Sequence, residues 1–194
     1  KIEPNKTQTC TGKAVKPVPT FSVLGQKGIT LKELRAVSKG IDIKVAYANN
    51  VKAGTARVTV TGTEKSTNKK LYSVTRTFKL VQKANPLKVK NKKIKVKCSK
   101  LKKRSLFIKA SKVKKGNKAK TKITYKLIKA KKVTKTKKLK KLKKKAFTVK
   151  SSGKIKVRKG TKKGTYKLTM RATAAKSIVY KKAKKNFVVT VKVK

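Results

Sequence analysis

Through much of the chain, an apolar residue occupies every second position and lysine or threonine occupies the position between. The last segment shows the pattern most clearly, because Val189, Val191 and Val193 alternate with Thr190 and Lys192. In an extended strand, this spacing puts the apolar side chains on one face and the polar ones on the other. The sequence therefore predicts antiparallel sheets with one buried and one wet face, as in an all-β sandwich.

Strand-length segments of this kind recur along the chain, and turn residues separate them. The capping-box spacing of Thr30 and Glu33 adds a predicted helical turn over 30–37. In the first part of the chain, the pattern predicts strands at 14–23, 41–47, 54–61 and 71–81. In the second part, it predicts strands at 87–98, 105–108, 120–129, 146–149, 154–157, 165–174 and 186–194.

Three segments of the second part are predicted to connect strands. Residues 151–153 (SSG) predict a hairpin turn, and residues 159–164 predict the loop before the next strand. The lysine-rich run at 135–145 is open to two interpretations. Leu139 and Leu142 are three positions apart, which suits a helical turn, and a solvated lysine loop suits the run equally well.

The positive charge is distributed unevenly. The chain of 194 residues has 62 Lys and Arg against 4 Asp and Glu, a formal net charge of +58. Residues 1–83 hold 17 of these basic residues and all four acids, whereas residues 84–194 hold 45 and no acid. This change coincides with a linker-like sequence at 82–86. We therefore predict two domains, 1–83 and 84–194, each of a size that suits a β-sandwich.

So much like charge destabilises a compact chain unless anions surround it. It indicates disorder, a polyanionic partner or an anion-rich setting, and the regular apolar alternation argues against disorder. Outward lysines on successive strands would form a cationic face that binds polyanions by releasing counterions. The alternative is that the lysines only keep the chain soluble. The predicted polyanion-binding residues are Lys137, Lys138, Lys140, Lys141, Lys143, Lys144, Lys145, Lys154, Lys156, Arg158, Lys159, Lys162 and Lys163.

Catalytic, cofactor and metal sites are not predicted. With no His, the chain cannot form a Ser-His-Asp or Cys-His arrangement. It also lacks the Cys/His set of a zinc site and the acidic clusters that hold calcium or magnesium. Residues 160–164 (GTKKG) predict a turn rather than a phosphate-binding loop. An internal Lys–Asn cross-link needs a buried acid, for which Glu33 and Asp42 are the candidates in the first domain. An enzyme is therefore the least favoured class.

The two cysteines and the first residues of the chain support fewer predictions. Cys10 and Cys98 lie in different predicted domains, so they are either isolated thiols or a disulfide between domains that fold back on each other. The chain starts without an initiator Met or a signal peptide. We therefore expect a mature form or fragment, and a monomeric segment of a larger chain.

Short motifs in the first domain resemble the immunoglobulin-like repeats of secreted and surface proteins from clostridia-related bacteria. They are TGKAVKP at 11–17, VAYANN at 45–50 and AGTARVTVTG at 53–62. The second domain resembles the lysine-rich repeat that often closes such proteins, through ANPL at 84–87, SKLKK at 99–103, ITYK at 123–126, GTYK at 164–167 and ATAA at 172–175. Cys10 and Cys98 depart from the repeats, which often have Tyr there.

The resemblance implies two tandem immunoglobulin-like antiparallel β-sandwiches on the surface of, or secreted by, a Gram-positive bacterium. It implies a stalk or adhesive role and no catalytic residue. Combined with the charge, it leads us to expect a non-catalytic extracellular module whose basic second domain associates with anionic cell-wall polymers such as teichoic acid, or with acidic glycans. The alternative is a basic nucleic-acid-binding protein, although no nucleic-acid-binding motif is present.

Overall fold

The computed structural model describes residues 7–112, 118–134, 139–141 and 146–194. The chain forms two compact units. Unit 1 comprises Lys1–Lys83 and Ile178–Tyr180, and unit 2 comprises Ala84–Ser177 and Lys181–Lys194. Strands dominate both units and helices are short, so the predicted all-β class is confirmed.

Unit 1 is built on a four-stranded sheet with the strand order β1-β6-β5-β4. The short strand β1 runs parallel to β6, and the other neighbours are antiparallel. A separate hairpin, β2–β3, and one helix complete the unit. The elements are β1 Gln8–Thr9, β2 Phe21–Val23, β3 Gln26–Ile29, α1 Leu31–Val37, β4 Ile41–Ala48, β5 Gly54–Glu64 and β6 Lys70–Val81.

The strand predicted at 14–23 is wrong over most of its length, because only its last three residues lie in a strand. Pro17 and Pro19 have no N–H to give to a sheet ladder. The segment is held instead by the loop after β4: the Val15 N–H donates to the Asn50 carbonyl (2.8 Å), and Asn50 Nδ2 donates to the Val15 carbonyl (3.1 Å). The Tyr47 hydroxyl also donates to the Pro17 carbonyl at 2.6 Å.

The predicted capping box is confirmed at the start of helix α1. The Thr30 hydroxyl accepts from the Glu33 N–H, and the Glu33 carboxylate accepts from the Thr30 N–H at 2.7 Å. The hydrogen bonds from the backbone N–H and the hydroxyl of Thr30 lower the pKa of Glu33. Because both bonds favour the charged carboxylate, the cap is strongest when Glu33 is ionised.

Unit 2 contains two sheets. The larger has the strand order β10-β9-β13-β14-β7, in which β7 runs parallel to β14 and the other pairs are antiparallel. The smaller is an antiparallel sheet of order β11-β12-β8. The elements are β7 Lys92–Val96, α2 Cys98–Lys103, β8 Leu106–Ile108, a 3-10 helix Ala110–Lys112, β9 Ile123–Val133, β10 Leu139–Lys141, β11 Phe147–Val149, β12 Ile155–Val157, β13 Gly164–Ala174 and β14 Ala183–Val193.

The two sheets of unit 2 enclose one continuous core of 17 buried residues in the described part of the chain. Leu168, Met170, Val189 and Val191 contribute from the larger sheet, and Ile155 contributes from the smaller one. Inward residues alternate with outward ones along β13 and β14, as expected for a sandwich. The first strand lies parallel to the last in the same sheet, and the strand order of both sheets is that of an immunoglobulin-like sandwich.

Two expectations for unit 2 need correction. A strand was predicted at 87–98, but the observed strand β7 spans only Lys92–Val96. Cys98 begins a short helix that the sequence periodicity did not indicate. This helix turns Leu101 into the core while its lysines stay outside. Within 135–145, Leu139–Lys141 form strand β10, which pairs with the end of β9, rather than a helical turn or a loop. The rest of this run lies outside the described residues.

Both cysteines are free thiols. Cys10 is completely buried in unit 1, where it packs with Ala56, Val58, Phe78 and Leu80. Cys98 is half-buried against the core of unit 2, where helix α2 begins. Each thiol therefore serves as a packing group in its own unit.

Candidate polyanion-binding surface

The outer surface of the five-stranded sheet carries a dense set of cations. Strand pairing aligns Lys93 of β7, Thr190 of β14, Lys167 of β13 and Lys131 of β9 in one row across four strands. Neighbouring rows also carry basic residues in other arrangements, such as Lys95 beside Lys192 and Lys126 beside Arg171. We call this surface the sheet face. Its described basic residues are Lys93, Lys95, Lys126, Lys129, Lys131, Lys167, Arg171, Lys184 and Lys192.

The sheet face includes a shallow cleft of about 660 Å³ beside β7, which we call the basic cleft. Asn91 fixes its edge: its Oδ1 accepts a hydrogen bond from the Val188 N–H at 2.8 Å. This bond extends the pairing of β7 with β14 by one residue through a side chain. The residues that line the cleft are Lys90, Asn91, Lys92, Lys93, Lys167, Val188 and Thr190.

The outer surface of the three-stranded sheet is different, because it has an aromatic residue at its centre. Phe107 is half-exposed and pairs with Lys156 across the strands. The Lys154 ammonium lies 4.5 Å from the centroid of the Phe107 ring, and that of Lys156 lies 6.0 Å away. These distances fit cation–π contacts. We call this group the aromatic spot.

The loop between β12 and β13 carries four further exposed cations and has an ordered backbone. The Lys159 N–H donates to Ser105 Oγ at 3.1 Å, and the Gly160 N–H donates to the Leu101 carbonyl at 3.0 Å. The Tyr166 hydroxyl donates to the Lys162 carbonyl at 2.7 Å. These bonds fix the loop next to the lysines of α2, so charges distant in sequence come together there.

The structure separates the polyanion-binding residues predicted from sequence into different places. Lys154 and Lys156 lie at the aromatic spot, and Lys140 and Lys141 lie in strand β10. The exposed loop after β12 holds Arg158, Lys159, Lys162 and Lys163. Outside the described residues lie Lys137, Lys138, Lys143, Lys144 and Lys145.

Sequence reasoning predicted a cationic face of outward lysines but named none of the residues of the sheet face, although part of the signal was visible. The alternation along 165–173 and 184–192 shows which side chains point outward. It does not show that β13 lies between β9 and β14, or that β7 lies beside β14. Those neighbours join residues up to 97 positions apart, such as Asn91 and Val188. Lysines that look dispersed in the sequence therefore form one surface.

Nothing in residues 84–194 neutralises this surface, because they include no Asp or Glu. Among the described residues, the salt bridge is in unit 1, between Lys44 and Asp42 at 3.3 Å. Burial raises the pKa of Tyr125 and of Tyr166, and the nearby Cys98 raises that of Tyr166 further. These phenols therefore stay neutral at physiological pH and add no negative charge.

Unit 1 has a different kind of cleft, of about 330 Å³, next to the β2–β3 hairpin. Its lining is mainly apolar, and its polar side chains are the hydroxyls of Ser38 and Tyr72. The lining residues are Phe21, Val23, Leu34, Ser38, Val60, Tyr72 and Val74.

Metal-binding and membrane-spanning features can be stated only for the described part of the chain. Within it, no three His, Cys, Asp or Glu side chains come together in a way that could hold a metal ion. None of the helices described is both long and apolar enough to cross a membrane.

Together, these features define a protein of two β-sandwich units, the second of which carries an acid-free basic surface. No protein family and no curated protein matches the sequence. Among solved structures, human mucin-like protocadherin EC1-2 is similar at 9% identity and a TM-score of 0.38, over 100% of this chain and 97% of that one. Drosophila N-cadherin EC1-3 has 13% identity and a TM-score of 0.40, over 79% and 56%.

A further similar structure is that of the three N-terminal domains of the Highly Immunogenic Outer Capsid protein of bacteriophage RB49. It has 9% identity and a TM-score of 0.26, over 99% of this chain and 68% of that one. Similarities of this size are loose, and they assign neither a family nor a ligand to this chain.

Proposed function

We propose that this chain is a non-catalytic stalk or adhesive module of an extracellular bacterial surface protein, and that unit 2 binds anionic polymers. Cell-wall teichoic acids and acidic glycans are the candidate ligands. The sheet face is the observation that carries the proposal: its outward lysines share one surface, and unit 2 has no side-chain carboxylate to neutralise them.

The chemistry of binding follows from the kind of cation present. Lysine is a strongly hydrated point charge on a flexible stem, so it attracts an anion without demanding a fixed orientation. Each polymer charge that meets a lysine releases a condensed counterion, and this release makes the affinity fall steeply as salt rises. The same contacts relieve the repulsion between neighbouring lysines, so binding also stabilises unit 2.

The extracellular setting is supported by the resemblance of the sequence motifs to repeats of Gram-positive surface proteins. A sandwich with short loops and no catalytic group suits a spacer that presents a charged surface. In this setting, the polymer would hold the parent protein close to the cell wall.

A second candidate function is nucleic-acid binding, and the aromatic spot is the observation that favours it. A half-exposed Phe107 between two lysines could stack a base while the lysines contact phosphates. A single aromatic residue gives little stacking along a strand. Since the sheet face has no aromatic residue at its described outward positions, we place nucleic acid second.

The experiment that tests the proposed function is co-sedimentation of the full chain with purified Gram-positive cell walls. Walls with and without teichoic acid are compared across a salt series, and duplex DNA is tested beside them. We expect binding at physiological salt that falls steeply as salt rises and that is lost when teichoic acid is stripped.

The other outcomes also decide between the candidates. Equal affinity for walls and DNA would reduce the function to generic attraction between polyelectrolytes. No binding to any polymer at physiological salt would contradict the proposal and leave a spacer whose lysines only interact with water.

A further inference from the structure

The basic cleft has lysines on two strands and a shorter side chain on the strand between them. Lys93 and Lys167 lie on the two strands that flank β14, with Thr190 between them. Adjacent strands are about 4.8 Å apart, so the two lysine backbones are about 10 Å apart across one short side chain. Long cationic side chains thus stand on both sides of a trough that is one strand wide. Lys90 and Lys92 also line the cleft, and strand pairing puts Lys92 opposite the buried Val189.

The floor of the trough combines one apolar and one hydroxyl-bearing side chain. Val188 and Thr190 are successive outward residues of β14, about 7 Å apart along the strand. A ligand on this floor would meet a methyl surface at one point and a hydrogen-bonding group at the next. This pattern matches a thin chain of CH₂ and CHOH groups.

The cations of the cleft attract anionic groups without fixing their orientation. Lysine is a point charge that binds a phosphate or a carboxylate from any direction, so selection between polymers depends on the width and the floor of the trough. The arginine of the sheet face, Arg171, already donates from its Nε to Asn186 Oδ1 at 3.0 Å. The cleft lining also contains no aromatic ring on which a base could stack.

We infer that the basic cleft recognises a polyol phosphodiester chain, in preference to anionic polymers built from sugar rings or nucleotides. The inference rests on the proposed function, and it names the ligand chemistry and the residues that select it. Lys90, Lys93 and Lys167 hold the phosphates, and Val188 and Thr190 support the polyol between them. Asn91 positions the edge of the cleft.

The test compares two variants of the full chain that lose the same charge. The cleft variant is K90Q/K92Q/K93Q/K167Q. The matched variant is K102Q/K103Q/K162Q/K163Q, which removes four exposed lysines of α2 and of the loop after β12. Each protein is titrated with poly(glycerol phosphate), polygalacturonate and single-stranded oligo(dT) of equal charge number, at several salt concentrations.

The readout is the ratio of affinities between polymers, since the ratio cancels the attraction due to charge alone. We expect the unmodified chain to prefer poly(glycerol phosphate) about tenfold, the matched variant to keep that ratio and the cleft variant to lose it. Both variants should show a similar decrease in salt dependence. An unmodified chain without preference, or an equal loss of preference in both variants, would overturn the inference and leave the proposed function standing. No binding of any polymer at physiological salt would overturn both.

A third variant, Asn91→Ala, keeps every charge and removes the acceptor of the Val188 N–H. We expect its salt dependence to match that of the unmodified chain while its preference falls several-fold, because the edge of the cleft is no longer fixed. Unchanged thermal unfolding of the variant serves as the control for folding. An unaltered preference would show that Asn91 does not position the cleft.

Discussion

The two units differ in the density of their positive charge and in the size of their cores. Unit 1 holds all four acids and only 17 of the 62 basic residues, and its described buried apolar residues form two separate small clusters of five and three. Unit 2 holds the other 45 basic residues and no acid, and 17 of its described residues form one buried cluster. The more strongly charged unit therefore has the larger continuous core.

This difference shows how a chain with so many lysines can remain folded. Repulsion between outward charges opposes folding, so the buried apolar area must offset it. In unit 2, alternation along β13 and β14 puts residues such as Leu168, Met170 and Val191 inside and residues such as Lys167 and Lys192 outside. In unit 1, the weaker repulsion between charges is compatible with a smaller core and with polar contacts such as the hydrogen bond from Asn50 to the Val15 carbonyl.

The largest expected loss of stability comes from truncating a buried side chain in the core of unit 2. Leu168 is completely buried between the sheets, so Leu168→Ala should destabilise unit 2 by about 2–5 kcal/mol. The comparison is Ile43→Ala, at a site that is also buried but lies in a three-residue cluster of unit 1. We expect the loss there to lie nearer 2 kcal/mol, because a small cluster relaxes more easily. Denaturant unfolding followed by segment-resolved hydrogen exchange measures both, and equal losses would contradict the comparison.

The second-largest expected difference between the two units is the salt dependence of their thermal stability. Screening reduces the repulsion between the lysines of unit 2, so its unfolding midpoint should rise by about 5 °C or more between low and physiological salt. Unit 1 should change much less, since its charges are fewer and of both signs. Hydrogen exchange of peptides from each unit, recorded at a series of temperatures, gives the two midpoints. A parallel shift in both units would show that charge density does not distinguish them.

Removing the hydrogen bond from Asn50 to Val15 should lower the stability of unit 1 alone. Asn50 is buried, and its Nδ2 donates to the Val15 carbonyl. Asn50→Ala should cost unit 1 about 1–2 kcal/mol, because the carbonyl loses a buried donor. Faster exchange in the segment before β2, with unit 2 unchanged, is the expected result. Unaltered exchange there would mean that the two prolines alone keep this segment out of the sheet.

The smallest expected effect is the loss of stability of helix α1 at low pH. The pKa of Glu33 is lowered in the folded state, so its contribution is present above the unfolded pKa and is lost as pH falls through the folded pKa. Helix α1 should therefore fray as pH is lowered through that range. Unit 2 has no carboxylate side chain and should show no such change. Thr30→Ala, which should cost about 1 kcal/mol of helix stability, ought to remove only part of the pH effect on α1, because the Thr30 backbone N–H still donates to Glu33. Equal acid sensitivity in both units would contradict this account.

Much of the fold could be predicted from the sequence, because alternation and capping are local signals. Strands such as β6 and β13 were located to within a residue or so, and the capping box of Thr30 and Glu33 was confirmed. The segment before Phe21 was mispredicted because its partner, Asn50, is 35 positions from Val15. Helix α2 was missed because its fold depends on burying Leu101 rather than on any periodicity.

The sequence predicted the basic character of the candidate surface but only part of its location. Composition correctly indicated a basic second part, and runs of lysine drew attention to 137–145 and 154–163. The sheet face depends on which strands are neighbours, and a local pattern does not contain that information. The basic cleft depends further on Asn91, whose role is visible only once β7 lies beside β14.

The central claim is that a polyol phosphate polymer binds unit 2 through the sheet face. The most direct test is backbone amide chemical-shift mapping of the full chain, titrated with poly(glycerol phosphate) at physiological salt. We expect shifts in β7, β13 and β14, strongest around Asn91 and Thr190, with unit 1 almost unchanged. Shifts spread evenly over both units, or confined to the loop after β12, would contradict the account.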